Sequence, residues 1–297
     1  MTERKLRIGV VGLSGSWSTE ALADAIAERT GYRLIVDMAR VVLDLETGQA
    51  HYGDVDLCDL SGLIVKKVTK TYSADTLDRL ELLRFVENRG VRVFSPPANI
   101  ARLIDRLSCT VMLRQCGIPM PRTVVTEDLD HAVESIRAFG TAVLKPLYST
   151  KARGMVLIDA AKSADIRDAL LSFKKENKVL YIQQKVDIPG RDLGVAFLGG
   201  EFLGTYARVI GDKAWNTTIK SGGQYAPHTA TQETIDLAQR AQAPFGLDFT
   251  TVDVVETNDG PVVFEVSAFG GFSGLRVGVG LDAASLYSDY VAKELRT

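Results

Sequence analysis

Short apolar runs alternate with amphipathic stretches over the first hundred residues. The runs "LRIGVVG", "YRLIVD", "GLIVKK" and "VRVFSPP" have strand length, and "TEALADAIAERT" and "SADTLDRLELLRFVENRG" between them carry apolar residues at helical spacing. Parallel strands need long crossovers, which are usually helices. The alternation therefore predicts an α/β domain with a parallel sheet, which we place at residues 1–97.

The pattern changes after residue 97. A helical stretch over 98–117 is followed by strands that succeed one another closely, with turn signals at Gly199-Gly200 and Asn258-Asp259-Gly260. Turns of this kind join antiparallel strands. The rest of the chain is thus predicted to be α+β with mostly antiparallel pairing.

Composition restricts the class of protein. The 297 residues are 46% hydrophobic and 24% charged, and the net charge is −2, so no charge excess favours nucleic acid or a membrane surface. No apolar stretch approaches the ~18 residues of a membrane span. Cys58, Cys109 and Cys116 cannot all pair and none lies in CxxC spacing. We expect a cytoplasmic protein without a signal peptide.

Two carboxylates stand inside otherwise apolar strands. Asp253 lies in "TTVDVVET" and Glu265 in "GPVVFEVS", and Ser267 shares the face of Glu265 by strand alternation. If the strands pair, the carboxylates repel each other unless a cation lies between them. Mg²⁺ shared with substrate phosphates would serve. Alternatively, each acid pairs with a nearby arginine or lysine, or faces solvent.

Basic and glycine-containing segments suggest contacts with anions. Lys145 ends a strand before "YSTKARG", a cationic flap or simply a basic hairpin tip. "YIQQKVDIPGRD" resembles a hinge that could contact an adenine edge, with Asp192 placed for a ribose. The loop from Arg208 to Gly223, which includes Trp215, mixes cations, hydroxyls and glycines. "GLSGSWS" after the first strand is either a phosphate or substrate contact or a tight turn.

The order of these segments resembles that of the ATP-grasp enzymes. "DRLSCTVMLRQCGIPMP", "VLKPLYS", "YIQQKV", "GRDLGVAFLGG", "WNTTIKSGG" and "GPVVFEVSAFGG" follow in the family's order and spacing. The match is nearest to the RimK-type, glutamate-ligase-like branch, and the sequences of these segments are similar to those of the GAK-system subfamily. The resemblance implies an ATP-grasp fold with an N-terminal Rossmann-like domain and a nucleotide between two antiparallel-sheet lobes. The central lobe would span residues 98–186 and the C-terminal lobe residues 187–297.

The resemblance also implies roles for individual residues. Lys145 and Arg208 would be catalytic and would contact the nucleotide, together with Arg106 on the phosphates and Asp192 on the ribose. The adenine hinge would be Gln184, Lys185 and Val186. Asp253, Glu265 and Ser267 would hold the metal. Apart from the resemblance, Lys151, Arg153, Thr218, Lys220 and Arg276 are candidates for contact with the substrate, and Arg276 is alternatively an exposed arginine.

The implied activity is ATP-dependent carboxylate–amine ligation through an acyl phosphate, with Mg²⁺ or Mn²⁺ as the metal. Either substrate can be a peptide or protein tail, no nucleic acid or membrane partner is expected, and a homodimer or homotetramer is implied. The alternatives are an ATP-grasp kinase acting on an anionic small molecule and a nucleotide-binding regulatory protein without turnover.

The chain departs from the family pattern at four places. Ser267 replaces the asparagine of the metal motif, and the flap keeps only Gly154. Thr218 stands where many relatives have asparagine, and Gly194 where the RimK pattern has arginine. These changes bear on the metal site and the substrate.

Overall fold

The computed structural model describes residues 5–162, 165–211 and 216–297. Its N-terminal part contains the predicted parallel sheet, with strand order β2-β1-β6-β7. A small antiparallel excursion, β3–β5, is inserted between β2 and β6. The elements are β1 (Ile8–Val11), α1 (Trp17–Thr30), β2 (Ile35–Val36), β3 (Val42–Asp44), β4 (Gln49–Tyr52), β5 (Val55–Asp56), β6 (Gly62–Val65), α2 (Ala74–Asn88) and β7 (Arg92–Phe94).

Two helices follow where one was expected. They are α3 (Pro97–Ile104) and α4 (Arg106–Gln115), so the prediction of a continuous helix over 98–117 is wrong. Asp105 is extended between them, and its carboxylate accepts a hydrogen bond from the Leu107 amide at 3.0 Å. An aspartate that caps the next helix competes with helical continuation. Arg106 therefore begins a new helix.

The central lobe is a four-stranded antiparallel sheet in the order β10-β9-β11-β8. Its helices α5 and α6 pack on the sheet around a core of their own; α6 was not predicted. The elements are β8 (Thr123–Thr126), α5 (Leu129–Phe139), β9 (Thr141–Lys145), β10 (Val156–Asp159), α6 (Ile166–Lys174) and β11 (Leu180–Gln184).

The C-terminal lobe has a five-stranded antiparallel sheet in the order β14-β13-β12-β15-β16. Both predicted hairpin turns are confirmed, whereas α8 was not predicted. The elements are β12 (Arg191–Leu198), β13 (Glu201–Val209), β14 (Gln224–Pro227), α7 (Gln232–Gln242), β15 (Phe249–Thr257), β16 (Gly260–Ser267), α8 (Phe272–Val279) and α9 (Ala283–Glu294).

The N-terminal domain and the C-terminal lobe share their hydrophobic cores. One core joins β6 and α2 to β12, β15 and α7, and includes α3 and α4. The second joins β1 and α1 to α8 and α9, and Arg29 on α1 pairs with Asp289 on α9 at 2.5 Å. No helix of the described residues is long and apolar enough to cross a membrane.

Candidate active site

A cavity of about 1060 Å³ lies where the N-terminal domain, the central lobe and the C-terminal lobe meet. The central lobe contributes the end of β9, the flap after it and the end of β11. The C-terminal lobe contributes β12, β13, β15 and β16. The N-terminal domain contributes the start of α1 and the segment after β6. A cavity of this size between domains is the usual place for a ligand.

The two unusual carboxylates are direct neighbours across β15 and β16. Asp253 pairs with Glu265, Thr251 pairs with Ser267, and all four residues line the cavity. The strand register shifts beside Asp253, so Phe264 is an extra residue in β16. Such a bulge changes where neighbouring side chains point. Phe264 and Glu265 consequently both line the cavity.

Arg208 on β13 pairs with two carboxylates, that of Asp192 on β12 and that of Asp253 on β15. Its guanidinium donates to both carboxylate oxygens of Asp192 at 2.5 and 3.0 Å and lies 3.0 Å from Asp253. Asp192 is buried. Burial raises the pKa of Asp253. Arg208 opposes this rise, but the same guanidinium also pairs with Asp192, whose negative charge raises the pKa of Asp253 further.

Arg106 connects the other carboxylate to the flap. It is buried, and its guanidinium lies 2.7 Å from a carboxylate oxygen of Glu265. It also donates to the carbonyl oxygens of Pro146 at 3.2 Å and Ser149 at 3.4 Å. Each acid therefore pairs with an arginine, which was one of the alternatives that the sequence left open.

Lys145 lies at the floor of the cavity. Its ammonium donates to the side-chain carbonyl of Gln183 and lies 5.4 Å from the ring centre of Phe264. Burial, reinforced by Arg106, lowers the pKa of Lys145 to about 7. Gln183 is buried and was missed by the sequence analysis. The signal was available, since alternation along β11 directs Gln183 and Gln184 to opposite faces.

The flap contains a left-handed turn. Lys151 and Ala152 have φ of 58° and 55°, and Gly154 has φ of 68°. Left-handed backbone is unfavourable for residues other than glycine and often marks functional loops. Lys151 and Arg153 both line the cavity.

The other predicted residues are placed as follows. The hinge residues Gln184, Lys185 and Val186 line the cavity, as does Thr218, whose hydroxyl donates to the Asn216 side chain at 2.8 Å. Arg276 is exposed over the ring of Trp17, 5.2 Å from its centre, and does not line the cavity. Trp215 and the Lys220 side chain lie outside the described residues.

Tyr206 occupies the space where the RimK pattern places an arginine. A Cβ on Gly194 would lie 2.3 Å from the Tyr206 ring, and Cβ atoms on Gly274 and Gly278 would lie 2.4 and 2.5 Å from the same side chain. Tyr206 is buried and lines the cavity. The tyrosine ring therefore leaves no room for a side chain at position 194.

The acid pair suits a magnesium ion that shares its ligands with phosphates. No group of three or more His, Cys, Asp or Glu within the described part of the chain could hold a metal alone. The protein would supply two carboxylates and the Ser267 hydroxyl, leaving other positions to phosphate oxygens and water. Mg²⁺ is usually bound in this way, through one or two carboxylates, and the residues fit it.

Fold and cavity together are those of an ATP-grasp protein. Residues 104–291 match the model of the RimK-like ATP-grasp domain, and the chain belongs to this family. The assignment made from the sequence is thereby confirmed, with its carboxylate–amine ligase activity; ATP and Mg²⁺ are general to the family.

Named relatives and solved structures agree with this assignment. The chain is 26% identical over 258 residues to a tetrahydromethanopterin:alpha-L-glutamate ligase of Methanosarcina acetivorans, which covers 81% of the chain and 79% of the relative. It is 30% identical over 205 residues to the ligase of that name from Methanocaldococcus jannaschii, covering 68% and 70%. The ATP-grasp ligase PsnB, in complex with a precursor variant, Mg and ADP, has a TM-score of 0.76 at 18% identity, over 98% of this chain and 99% of that one.

Proposed function

We propose that this ligase holds ATP in the cavity between the central and C-terminal lobes and couples the carboxyl group of an acid to the amine of an α-amino acid. The observation that carries the proposal is that Lys145, Arg208 and the Asp253–Glu265 pair line one cavity. The glutamate in the relatives' names supports L-glutamate as the first amine to test.

The nucleotide would be held by the hinge and by the acidic and basic groups of β12 and β13. Gln184, Lys185 and Val186 would contact the adenine edge. Asp192 would accept a hydrogen bond from a ribose hydroxyl while it keeps its hydrogen bonds from Arg208, since a carboxylate has about four acceptor positions.

The metal would lie between Asp253 and Glu265, with Ser267 contributing directly or through water. When bound, Mg²⁺ (or Mn²⁺, which prefers the same oxygen ligands) supplies positive charge beside the transferred phosphoryl group. Arg106 and Arg208 now neutralise these carboxylates. Once the metal neutralises the two carboxylates, the N–H groups of these arginines would donate hydrogen bonds to phosphate oxygens.

The reaction would need no protein nucleophile. A carboxylate oxygen of the acid attacks the γ-phosphorus, the bond to ADP breaks, and an acyl phosphate forms. The amine then attacks the acyl carbon, loses a proton and expels phosphate. Lys145, Arg106 and Arg208 would stabilise the charge that develops on the phosphoryl oxygens, and the flap from Tyr148 to Gly154 would keep water away.

The oligomeric state of the protein is untested. A homodimer or homotetramer stays a prediction, to be measured by light scattering.

Nucleotide binding by calorimetry, with and without Mg²⁺, tests the metal site. We expect Mg²⁺-dependent ATP binding that weakens in Glu265→Gln. Asp259→Asn is the matched control, because it removes an exposed carboxylate from the turn of the same hairpin. Binding that ignores both Mg²⁺ and Glu265 would contradict the assignment.

Hydroxylamine, which traps acyl phosphates as hydroxamates, tests the reaction. With ATP, Mg²⁺ and a panel of acids, hydroxamate should form in proportion to the ADP released. ADP release without hydroxamate, and without any need for an amine, would indicate a kinase instead.

A further inference from the structure

The N-terminal domain places two lysines in the cavity that the sequence analysis did not single out. Lys66 and Lys67 directly follow β6, at the carboxyl edge of the parallel sheet, and both line the cavity. Lys66 is only 6% exposed. Its ammonium donates to the Gly270 carbonyl at 2.7 Å and lies 4.4 Å from the ring centre of Phe272.

Neither lysine has a counter-charge among the residues that the structure describes. Within residues 5–162, 165–211 and 216–297, no carboxylate lies within ion-pair distance of Lys66 or Lys67. A buried ammonium without an anion is costly, and burial lowers the pKa of Lys66 to about 7. Lys67 faces further cations, since its pKa is lowered first by burial and then by Lys151 and Arg153 of the flap.

The first turns of two helices also line the cavity. The first residues of α1, Trp17 and Ser18, and of α8, Phe272 and Ser273, line the cavity. Neither helix has a side-chain hydrogen bond at its N-cap. Free amides and the helix dipole there favour a negative group, so they add to the charge of the two lysines.

The cavity as a whole is more cationic than a nucleotide requires. Nine basic side chains of the described residues line it against three acidic ones, and those three are bonded to Arg106 or Arg208. A magnesium–ATP complex neutralises only part of this excess, because the metal itself is positive. Lys66 contacts Gly270, three residues beyond Ser267 of the proposed metal site in the sequence.

We propose that Lys66, Lys67 and the first turns of α1 and α8 bind a second anionic group of the acid substrate, a carboxylate or phosphate separate from the carboxylate that is activated. This inference rests on the proposed function and names its substrate class, an acid with at least two negative groups. A monocarboxylic acid would leave the buried ammonium of Lys66 unpaired.

Anion binding with the nucleotide site filled tests the proposal. The protein is saturated with Mg²⁺ and a non-hydrolysable ATP analogue and titrated by calorimetry with butyrate, glutarate, tricarballylate and phosphonoacetate. The multiply charged probes should bind at least about 10-fold more tightly than butyrate, which is the worth of one charge-assisted hydrogen bond. Comparison of phosphonoacetate with glutarate distinguishes phosphate from carboxylate.

Variants separate this site from the nucleotide site. Lys66→Met keeps the length of the side chain, and Lys67→Gln is a second variant at a less buried position; each should weaken glutarate or tricarballylate binding about 10-fold or more and leave the affinity for magnesium–ATP unchanged. Lys178→Met removes an exposed lysine far from the cavity lining and should change neither.

Three results would overturn the proposal: equal binding of butyrate and the multiply charged probes, no binding of any probe, or variants that lose ATP affinity instead of anion affinity. Different results would contradict the proposed function itself. These are nucleotide binding that does not depend on Mg²⁺, or no hydroxamate formation with any acid.

Discussion

Arg208 lies between two acidic side chains, Asp192 and Asp253, and is itself only 17% exposed. A buried ion pair gains little over an apolar substitute, but removal of one partner leaves an uncompensated charge. The arginine is therefore needed for stability before any nucleotide arrives, in addition to its proposed role at the phosphates.

Arg208→Met should lower the free energy of unfolding by about 3–5 kcal/mol. The reason is that the buried carboxylate of Asp192 and the partly buried carboxylate of Asp253 lose their cation. Urea denaturation of the nucleotide-free protein measures this. Arg33→Met, which breaks exposed pairs with Glu20 and Asp24, should cost at most about 1 kcal/mol. A similar small loss in both variants would show that Asp192 and Asp253 are compensated by other means.

Strands β12 and β13 show how a departure at one residue depends on its neighbour. Gly194 and Tyr206 are cross-strand partners, and the tyrosine ring fills the space that a larger side chain at 194 would need. Cross-strand neighbours contribute to sheet stability as a pair, so a larger side chain at position 194 requires a smaller one at position 206.

Gly194→Ala should destabilise the protein by about 1–3 kcal/mol, the usual cost of overpacking a filled core. In the background of Tyr206→Ala the same change should cost much less, because the clashing ring is gone. A double-mutant cycle by denaturation measures this coupling. Additive effects of the two substitutions would contradict the steric explanation.

At the scale of the whole molecule, the hydrophobic cores divide the chain differently from its sequence order. The N-terminal domain and the C-terminal lobe are joined through two shared cores, and the first of these also includes α3 and α4. The central lobe, from β8 to β11, has a separate core formed within residues 124–182. The boundaries at residues 97 and 186 stay predictions.

The central lobe should therefore open at a lower free-energy cost than the rest. Regions with fewer shared buried contacts exchange their amide hydrogens through local opening. Hydrogen exchange should be faster in β9 and β11 than in β12 and β15, and magnesium–ATP should slow it mainly in the central lobe. Equal protection of all four strands would contradict this division.

Local patterns in the sequence were enough for several parts of the site. Strand alternation and the turn at Asn258-Asp259-Gly260 predicted that Asp253, Glu265 and Ser267 share one face, and the structure confirms this. The parallel N-terminal sheet and the antiparallel pairing after it were predicted from the spacing of apolar runs and turn signals, whereas the division into two antiparallel sheets came from the family resemblance. These features depend on neighbours within about ten residues, and short-range periodicity and turn chemistry determine them.

Only the tertiary structure decided which charges meet. Arg106 contacts Glu265 across 159 residues of chain, and Lys66 contacts Gly270 across 204. The filling of the space at Gly194 by Tyr206 also depends on packing between elements. Such contacts are set by how whole elements fit together, and no local pattern encodes them. The sequence by itself determined the fold and the acid pair, whereas the partners of each charge followed from the packing of the three parts around one cavity.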